Sequence, residues 1–383
     1  MTGLEFKTSL NALTKTCRYF EDILRPRLFQ RLTFKGDSVD LVARRQWCYE
    51  IQEGDERAVE LAALVKECRF FKWFHTPESE AVRSLAEFTC ILPHFVNVVS
   101  VQFGYTFMSP DILGHLIQMP RLTAVRFTQV LTSNIGNIYD AVLPTSPQWT
   151  HFENNVPLFA TGEYMSSFIK KSQLSVLHTI VLTIGEPLFL GIQGPCLKEL
   201  RLDFTMDVSL QIHLPQLWKM LENTPSLEVL TLDFEYKFRE AFVASYSLST
   251  AAIPRLHSLR CPGWVGLYIV KGRPLREIEL IRHYRPGSLA VYGYTVDETS
   301  AIFDMLGQST VGISHLTFPF VNDGELLGQF PASVATLTLE PPWREAAHLV
   351  HGLINLPLSM LIHTARCCSM SASESRACTA HRI

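Results

Sequence analysis

The chain lacks most of the features that place a protein in or across a membrane. No run approaches the ~18 consecutive apolar residues of a spanning helix, and the longest apolar-rich stretches, such as 95–103, are strand-sized. The opening MTGLEFKTSLNALTK has no apolar signal-peptide core. There is no Asn-x-Ser/Thr sequon and no Cys-x-x-Cys, and the nine cysteines are irregularly spaced. Reduced thiols in the cytoplasm or nucleus are the expectation. Neither sign of charge dominates: Lys+Arg is 34 and Asp+Glu 37, a net charge of -3. Neither nucleic acid nor an anionic membrane is therefore expected as a partner.

Catalytic signatures are absent too. The sequence holds no G-x-S-x-G, G-x-G-x-x-G, P-loop or H-E-x-x-H. Its thirteen histidines are scattered. Cys367, Cys368, Cys378, His363 and His381 gather near the end, but vicinal cysteines do not suit two corners of one tetrahedral zinc site. The expectation is a protein with no cofactor, no metal and no catalysis of its own. A hydrolase or transferase on an unfamiliar fold is the least favoured alternative, and it would show as a deep pocket holding perturbed polar groups.

What is present is a large core and a repeat. Hydrophobic residues make up 47% and charged residues 19% of the chain, a globular composition. The pattern apolar-x-x-apolar-x-apolar recurs as Leu122, Val125, Phe127; Leu197, Leu200, Leu202; Leu227, Leu230, Leu232; Leu275, Ile278, Leu280; Ile313, Leu316, Phe318; and Val334, Leu337, Leu339. Weaker copies start at Val96, Leu177 and Leu256, and a degenerate one at Trp149. The last two apolar positions are two apart, so they share one side of a strand. Pro120, Pro195, Pro225 and Pro254 each stand two residues before a copy, and proline ends whatever precedes it. Helical apolar faces lead into two of these prolines: Ile112, Leu113, Leu116 and Ile117 after Ser109-Pro110, then Leu214, Leu217, Trp218 and Leu221. The unit is helix, turn, strand, and such units bury their apolar faces only by stacking.

On these residues the stretch from about 95 to 340 resembles the irregular leucine-rich-repeat regions of fungal F-box-type proteins. The implied fold is α/β, a leucine-rich-repeat-like solenoid with a parallel sheet on its concave face and helices outside. One departure is clear: the asparagine of the regular repeat, three positions after the last leucine, is replaced by Thr205, Glu235, Trp264 and His283. Distorted curvature is expected.

Residues 1–35 read as a helix carrying Leu10, Leu13, Cys17, Phe20 and Leu24, broken at Pro26, with Leu28 and Phe29 packing back before a strand-like Leu32-Thr33-Phe34. The stretches Cys17-Arg18-Tyr19-Phe20 and Arg25-Pro26-Arg27-Leu28-Phe29 resemble the second half of an F-box. The Leu-Pro and acidic helix of its first half do not precede Leu10. The resemblance implies docking to a Skp-type adaptor through Leu13, Cys17, Phe20, Leu24, Pro26 and Leu28. The other reading of this segment is an N-terminal helical cap on the array. Residues 36–95 read as mostly helical, irregular first repeats: an amphipathic helix over 58–65, a short strand with Phe71, Trp73 and His75 alternating, and a helix over 78–92 started by Thr76-Pro77. The array proper covers 96–360, closing on a helix near 344–353, and 361–383 reads as a disordered tail.

The outward strand positions mix both signs. Between the last two apolar residues of each copy stand Ser100, Arg126, Val181, Arg201, Thr231, Arg260, Glu279, Thr317 and Thr338, with Asp203, Asp233, Glu199 and Glu277 on the same side. Arg126, Glu199, Arg201, Asp203, Asp233, Arg260, Glu277 and Glu279 are the candidates for a protein-binding concave face. Phe204 and Phe234 are expected to pack inward. The resemblance implies a non-enzymatic substrate-recognition subunit of a cullin-RING ubiquitin ligase, its partners a Skp-type adaptor and a protein substrate. The alternative is an interaction scaffold with no link to ubiquitin transfer.

Overall fold

The computed structural model describes residues 18–38, 40–73, 78–132, 149–155, 174–180, 196–204, 210–234, 248–281, 296–319 and 330–340. The chain divides into two compact units, Met1–Ile180 and Val181–Ile383. The first runs α1 (Arg18–Phe29), β1 (Arg31–Lys35), α2 (Leu41–Gln52), α3 (Glu56–Ala63), β2 (Glu67–Phe71), α4 (Glu78–Thr89), a 3-10 turn (Leu92–His94), β3 (Ser100–Met108), α5 (Pro110–Gln118), β4 (Ala124–Thr132), β5 (His151–Asn155) and β6 (Val176–Ile180). The second runs β7 (Glu199–Asp203), α6 (Leu210–Glu222), β8 (Val229–Asp233), β9 (Ser258–Pro262), α7 (Gly263–Ile269), β10 (Glu277–Ile281), α8 (Val296–Leu306), β11 (His315–Pro319) and β12 (Thr336–Glu340). Within each unit every strand pairs in parallel with the next in the sequence. That sequential order is solenoid-like.

The register comes from one repeated hydrogen-bond device. The carbonyl of the residue before each strand accepts two successive N–H groups from the next repeat. Val99 O takes Thr123 and Ala124, Thr123 O takes Thr150 and His151, and Thr150 O takes Ser175 and Val176. In the second unit Lys198 O takes Glu228 and Val229, and Glu228 O takes His257 and Ser258. Where the residue is Thr or Ser, its hydroxyl joins in: Thr123 Oγ1 donates to Val99 O (3.2 Å), Ser175 Oγ to Thr150 O (2.9 Å) and Ser314 Oγ to Arg276 O (3.1 Å). These hydroxyls tie neighbouring repeats by side chain without the asparagines that the sequence lacks.

Equal register stacks equal positions. In the first unit Phe34, Phe70, Phe103 and Phe127 face one another strand to strand. Their rings lie 4.9, 5.0 and 5.7 Å apart in parallel stacks. All four are buried. The equivalent column of the second unit is Leu202, Leu232, Cys261, Leu280 and Phe318, also buried. Phe204 and Phe234 stack behind it at 4.4 Å, fully inside as expected. On the other side of β3, Gly104 is required: a Cβ there would lie 2.3 Å from the Phe71 ring. The residues that follow, Lys72 just past the end of β2, Tyr105 in β3 and Gln129 in β4, all take left-handed φ of 62°, 54° and 50°, so the backbone kinks at one level in all three repeats.

Several expectations are corrected. The copies placed at Val96 and Leu177 start at Val98 and Leu174, which are buried, whereas Val96 and Val99 are exposed. Valines at 96, 98, 99 and 101 satisfy two overlapping matches, and only the pairing of Val101 with Val125 decides between them. The strand expected at Phe71, Trp73 and His75 is β2, with Cys68 and Phe70 inward. Pro26 does not break the first helix; α1 runs through it to Phe29. Trp149 is buried and precedes β5, and β1, within 1–35, and β2, within 36–95, both join the parallel order of the first unit. The expected elements beyond 340 fall outside the described residues.

Arg273 is the largest buried polar side chain among the described residues of the second unit. Its guanidinium donates to Ile269 O, to Lys271 O (2.7 Å) and to Ser249 O (2.8 Å), while its own carbonyl accepts from Thr310 N (2.9 Å). It closes the end of α7 and joins the segments before β9 and before β11. Burial pulls its pKa down to about 10, which leaves it cationic at neutral pH. Two measurements by urea unfolding test these packing arguments. Phe70→Ala should lose about 3–5 kcal/mol, and Phe70→Leu far less, because a mid-column cavity cannot collapse between fixed strands. Arg273→Ala should lose about 3 kcal/mol by orphaning buried carbonyls, and Arg273→Lys should recover only part, since an ammonium lacks the planar fork.

Candidate functional site

Strand alternation that sends apolar side chains inward sends a second set outward. In the first unit the central outward row is Thr33, Arg69, Gln102, Arg126, Glu153 and His178, each the register partner of the next. In the second unit it is Arg201, Thr231, Arg260, Glu279, Thr317 and Thr338, in register from strand to strand. Flanking rows add Arg31, Glu67 and His151 in the first unit, and Glu199, Glu277, Asp203 and Asp233 in the second. The sequence expectation therefore places Arg126, Glu199, Arg201, Asp203, Asp233, Arg260, Glu277 and Glu279 on outward strand positions. Gln102 replaces Ser100 in the central row and His178 replaces Val181, following the corrected registers. Arg69 and Glu153 were missed, because their strands have only partial copies of the apolar pattern.

Several of the outward charges pair with one another. Glu67 bridges two guanidiniums, Arg31 Nε at 2.5 Å and Arg69 Nε at 2.6 Å. Burial opposes the charge on Glu67, but the hydrogen bonds from Arg69 and Arg31 outweigh it and hold the carboxyl below its ordinary range. Glu153 meets Arg126 Nε at 3.0 Å and His151 Nε2 at 3.8 Å. The His151 ring lies edge-on to His178 at 6.0 Å. Partial burial and then the neighbouring Arg126 and His178 push the His151 pKa down, so this imidazole is neutral at pH 7. In the second unit Arg260 Nη1 pairs with Glu279 Oε1 at 3.0 Å.

Asp203 and Asp233 set like charges side by side, since they are direct register partners on adjacent strands. Burial first, and then the neighbouring Asp203, raise the Asp233 pKa; Arg260 and Arg201 offset part of this.

The adaptor-docking candidates divide differently. Leu13 and Cys17 fall outside the described residues, and Phe20 lies on α1 with its side chain outside them. Leu24 is buried, Leu28 half-buried and Pro26 exposed. Ile23, which the helical periodicity did not single out, is 45% exposed. α1 packs on β1, and Arg44 of α2 donates to the Thr33 carbonyl on that strand. Among the described residues no three His, Cys, Asp or Glu side chains group as a metal site, and no helix is long and apolar enough to cross a membrane.

A folded pKa above the unfolded value of 3.8 means that Asp233 favours folding only while protonated. Its contribution is full below 3.8 and is lost as pH rises through the raised folded value. Asp233→Asn should therefore be more stable than the parent at pH 7, and the difference should vanish near pH 3; urea midpoints of both proteins at the two pH values check this. No family model matches this chain and no curated protein matches it, so the functional reading rests on the geometry of these strand faces.

Proposed function

We propose that this protein is a non-enzymatic interaction module that captures a protein partner on its outward strand rows. The observation that supports this most directly is the register. Within each unit, side chains far apart in sequence are brought into continuous rows that mix charges of both signs with uncharged polar groups, a surface suited to recognition by pattern. The rows are built on strands whose inward faces are fully packed, so the side chains are held on rigid supports and lose little freedom on binding.

The F-box resemblance extends the proposal to a substrate-recognition subunit of a cullin-RING ubiquitin ligase, docked on a Skp-type adaptor through the α1 region. Exposed Ile23 and Pro26 on α1 support that reading. Buried Leu24 and the packing of α1 on β1 favour the second one, in which α1 is a cap and the chain is an interaction scaffold without a ubiquitin link. Co-purification of the chain with a Skp-type adaptor separates them. Under the adaptor reading the parent retains the adaptor, Ile23→Glu loses it, and the variant's unfolding curve stays within about 0.5 kcal/mol of the parent, as for an exposed position. Failure of a well-folded parent to retain the adaptor would leave the scaffold reading.

A further inference from the structure

We infer that the outward strand face of the first unit is a docking surface for an acidic segment of a partner protein, read by the guanidinium groups of Arg31, Arg69 and Arg126. The inference rests on the interaction-module reading and names the chemistry of its partner.

Three observations carry it. First, all three arginines project from strands of one parallel sheet, with Arg69, Gln102 and Arg126 in register across β2, β3 and β4. At the usual spacing of parallel strands, Arg69 and Arg126 stand about 10 Å apart. Second, each guanidinium is held by an internal carboxylate through Nε: Arg31 and Arg69 by Glu67 at 2.5 and 2.6 Å, Arg126 by Glu153 at 3.0 Å. Among the described residues the Nη groups of these arginines make no hydrogen bond. The side chains remain 54%, 30% and 44% exposed. A guanidinium fixed at its base, with free donors at its tip, is preorganised for a carboxylate. Third, among the described residues two carboxylates hold three guanidiniums, so these groups leave a positive surplus, to which Lys35 at the end of β1 adds. Gln102, between the two in-register arginines, offers an amide to the backbone of an extended segment.

The same arrangement disfavours a nucleic acid. Glu67 and Glu153 sit among the arginines and would repel a continuous phosphate backbone, whereas discrete acidic side chains about 10 Å apart can meet the arginines and bypass them. The second unit's face carries the opposite balance, Glu199, Asp203, Asp233, Glu277 and Glu279 against Arg201 and Arg260, and would repel such a segment.

Fluorescence anisotropy of the full chain with a labelled oligoglutamate peptide tests this, with oligoglutamine and a single-stranded oligothymidylate of matching length run alongside. The expected result is salt-sensitive binding of oligoglutamate, none of oligoglutamine, and a loss of about tenfold or more in the Arg69→Gln/Arg126→Gln variant. Arg255→Gln/Lys271→Gln, at exposed positions of the second unit outside its strands, should bind as the parent does. Equal binding by parent and Arg69→Gln/Arg126→Gln, loss in the second-unit variant instead, or preference for oligothymidylate would each overturn the inference. The adaptor experiment on the same preparations keeps the two ideas apart. A chain that retains the adaptor but ignores oligoglutamate overturns only the inference, and one that binds oligoglutamate through Arg69 and Arg126 without the adaptor leaves it standing.

Discussion

Everything distinctive in this protein depends on one carbonyl taking two N–H groups at the start of each strand. Each such bond adds only about 1 kcal/mol net, yet the device recurs from Val99 to Thr123 to Thr150 and from Lys198 to Glu228 to His257. It prevents a strand from slipping against its neighbour. A slip of one residue would exchange the inward and outward sets, and a slip of two would keep the facing but misalign the rows. The aromatic column inside and the charged row outside are both consequences of that fixed register.

The inward consequence differs between the units. Phe34, Phe70 and Phe103 stack as nearly parallel rings, and Phe127 continues the stack at 28°, so the first unit gains ring–ring contacts beyond the burial of their area. The second unit fills the same column with Leu, Cys and a single Phe, and moves its stacked aromatics to Phe204 and Phe234 just past the strands. Cys261 in the second unit's column, and Cys68 in the neighbouring inward column of Leu32, Val101 and Val125, are completely buried, and burial raises both thiols well above their ordinary pKa. They act there as small apolar side chains rather than as reactive groups.

The outward consequence is organised more by orientation than by stability. Half-exposed ion pairs such as Arg126 with Glu153 and Arg260 with Glu279 are each worth at most about 1 kcal/mol. The direct pairing of Asp203 with Asp233 works against folding at neutral pH. Charges placed so that they add little to the fold, yet hold one another in position, suit the recognition role proposed for this surface.

Leucine spacing and the prolines before four of the copies made the repeating strand legible in the sequence, and β7, β8, β10, β11 and β12 lie where that spacing put them. Ser109-Pro110 marked the start of α5, and the Ser109 hydroxyl accepts the Ile112 N–H there. The outward candidates followed from the same period of two. Less was readable where apolar residues were too dense or too sparse. Four closely spaced valines allowed two registers for β3, and β5 and β6 carry too few leucines to show their outward residues. Pro26 could not be placed inside or outside a helix from its own chemistry, because a helix supported by packing tolerates the loss of one hydrogen bond. The sequence by itself determined the inward residues where a full copy of the apolar pattern is present, as in β7, β8 and β10, since that depends only on local alternation and hydrophobicity. Which outward residues become neighbours was decided by the tertiary structure alone: Glu67 meets Arg31 and Arg69, and Asp203 meets Asp233, only because hydrogen bonds between distant segments set the register.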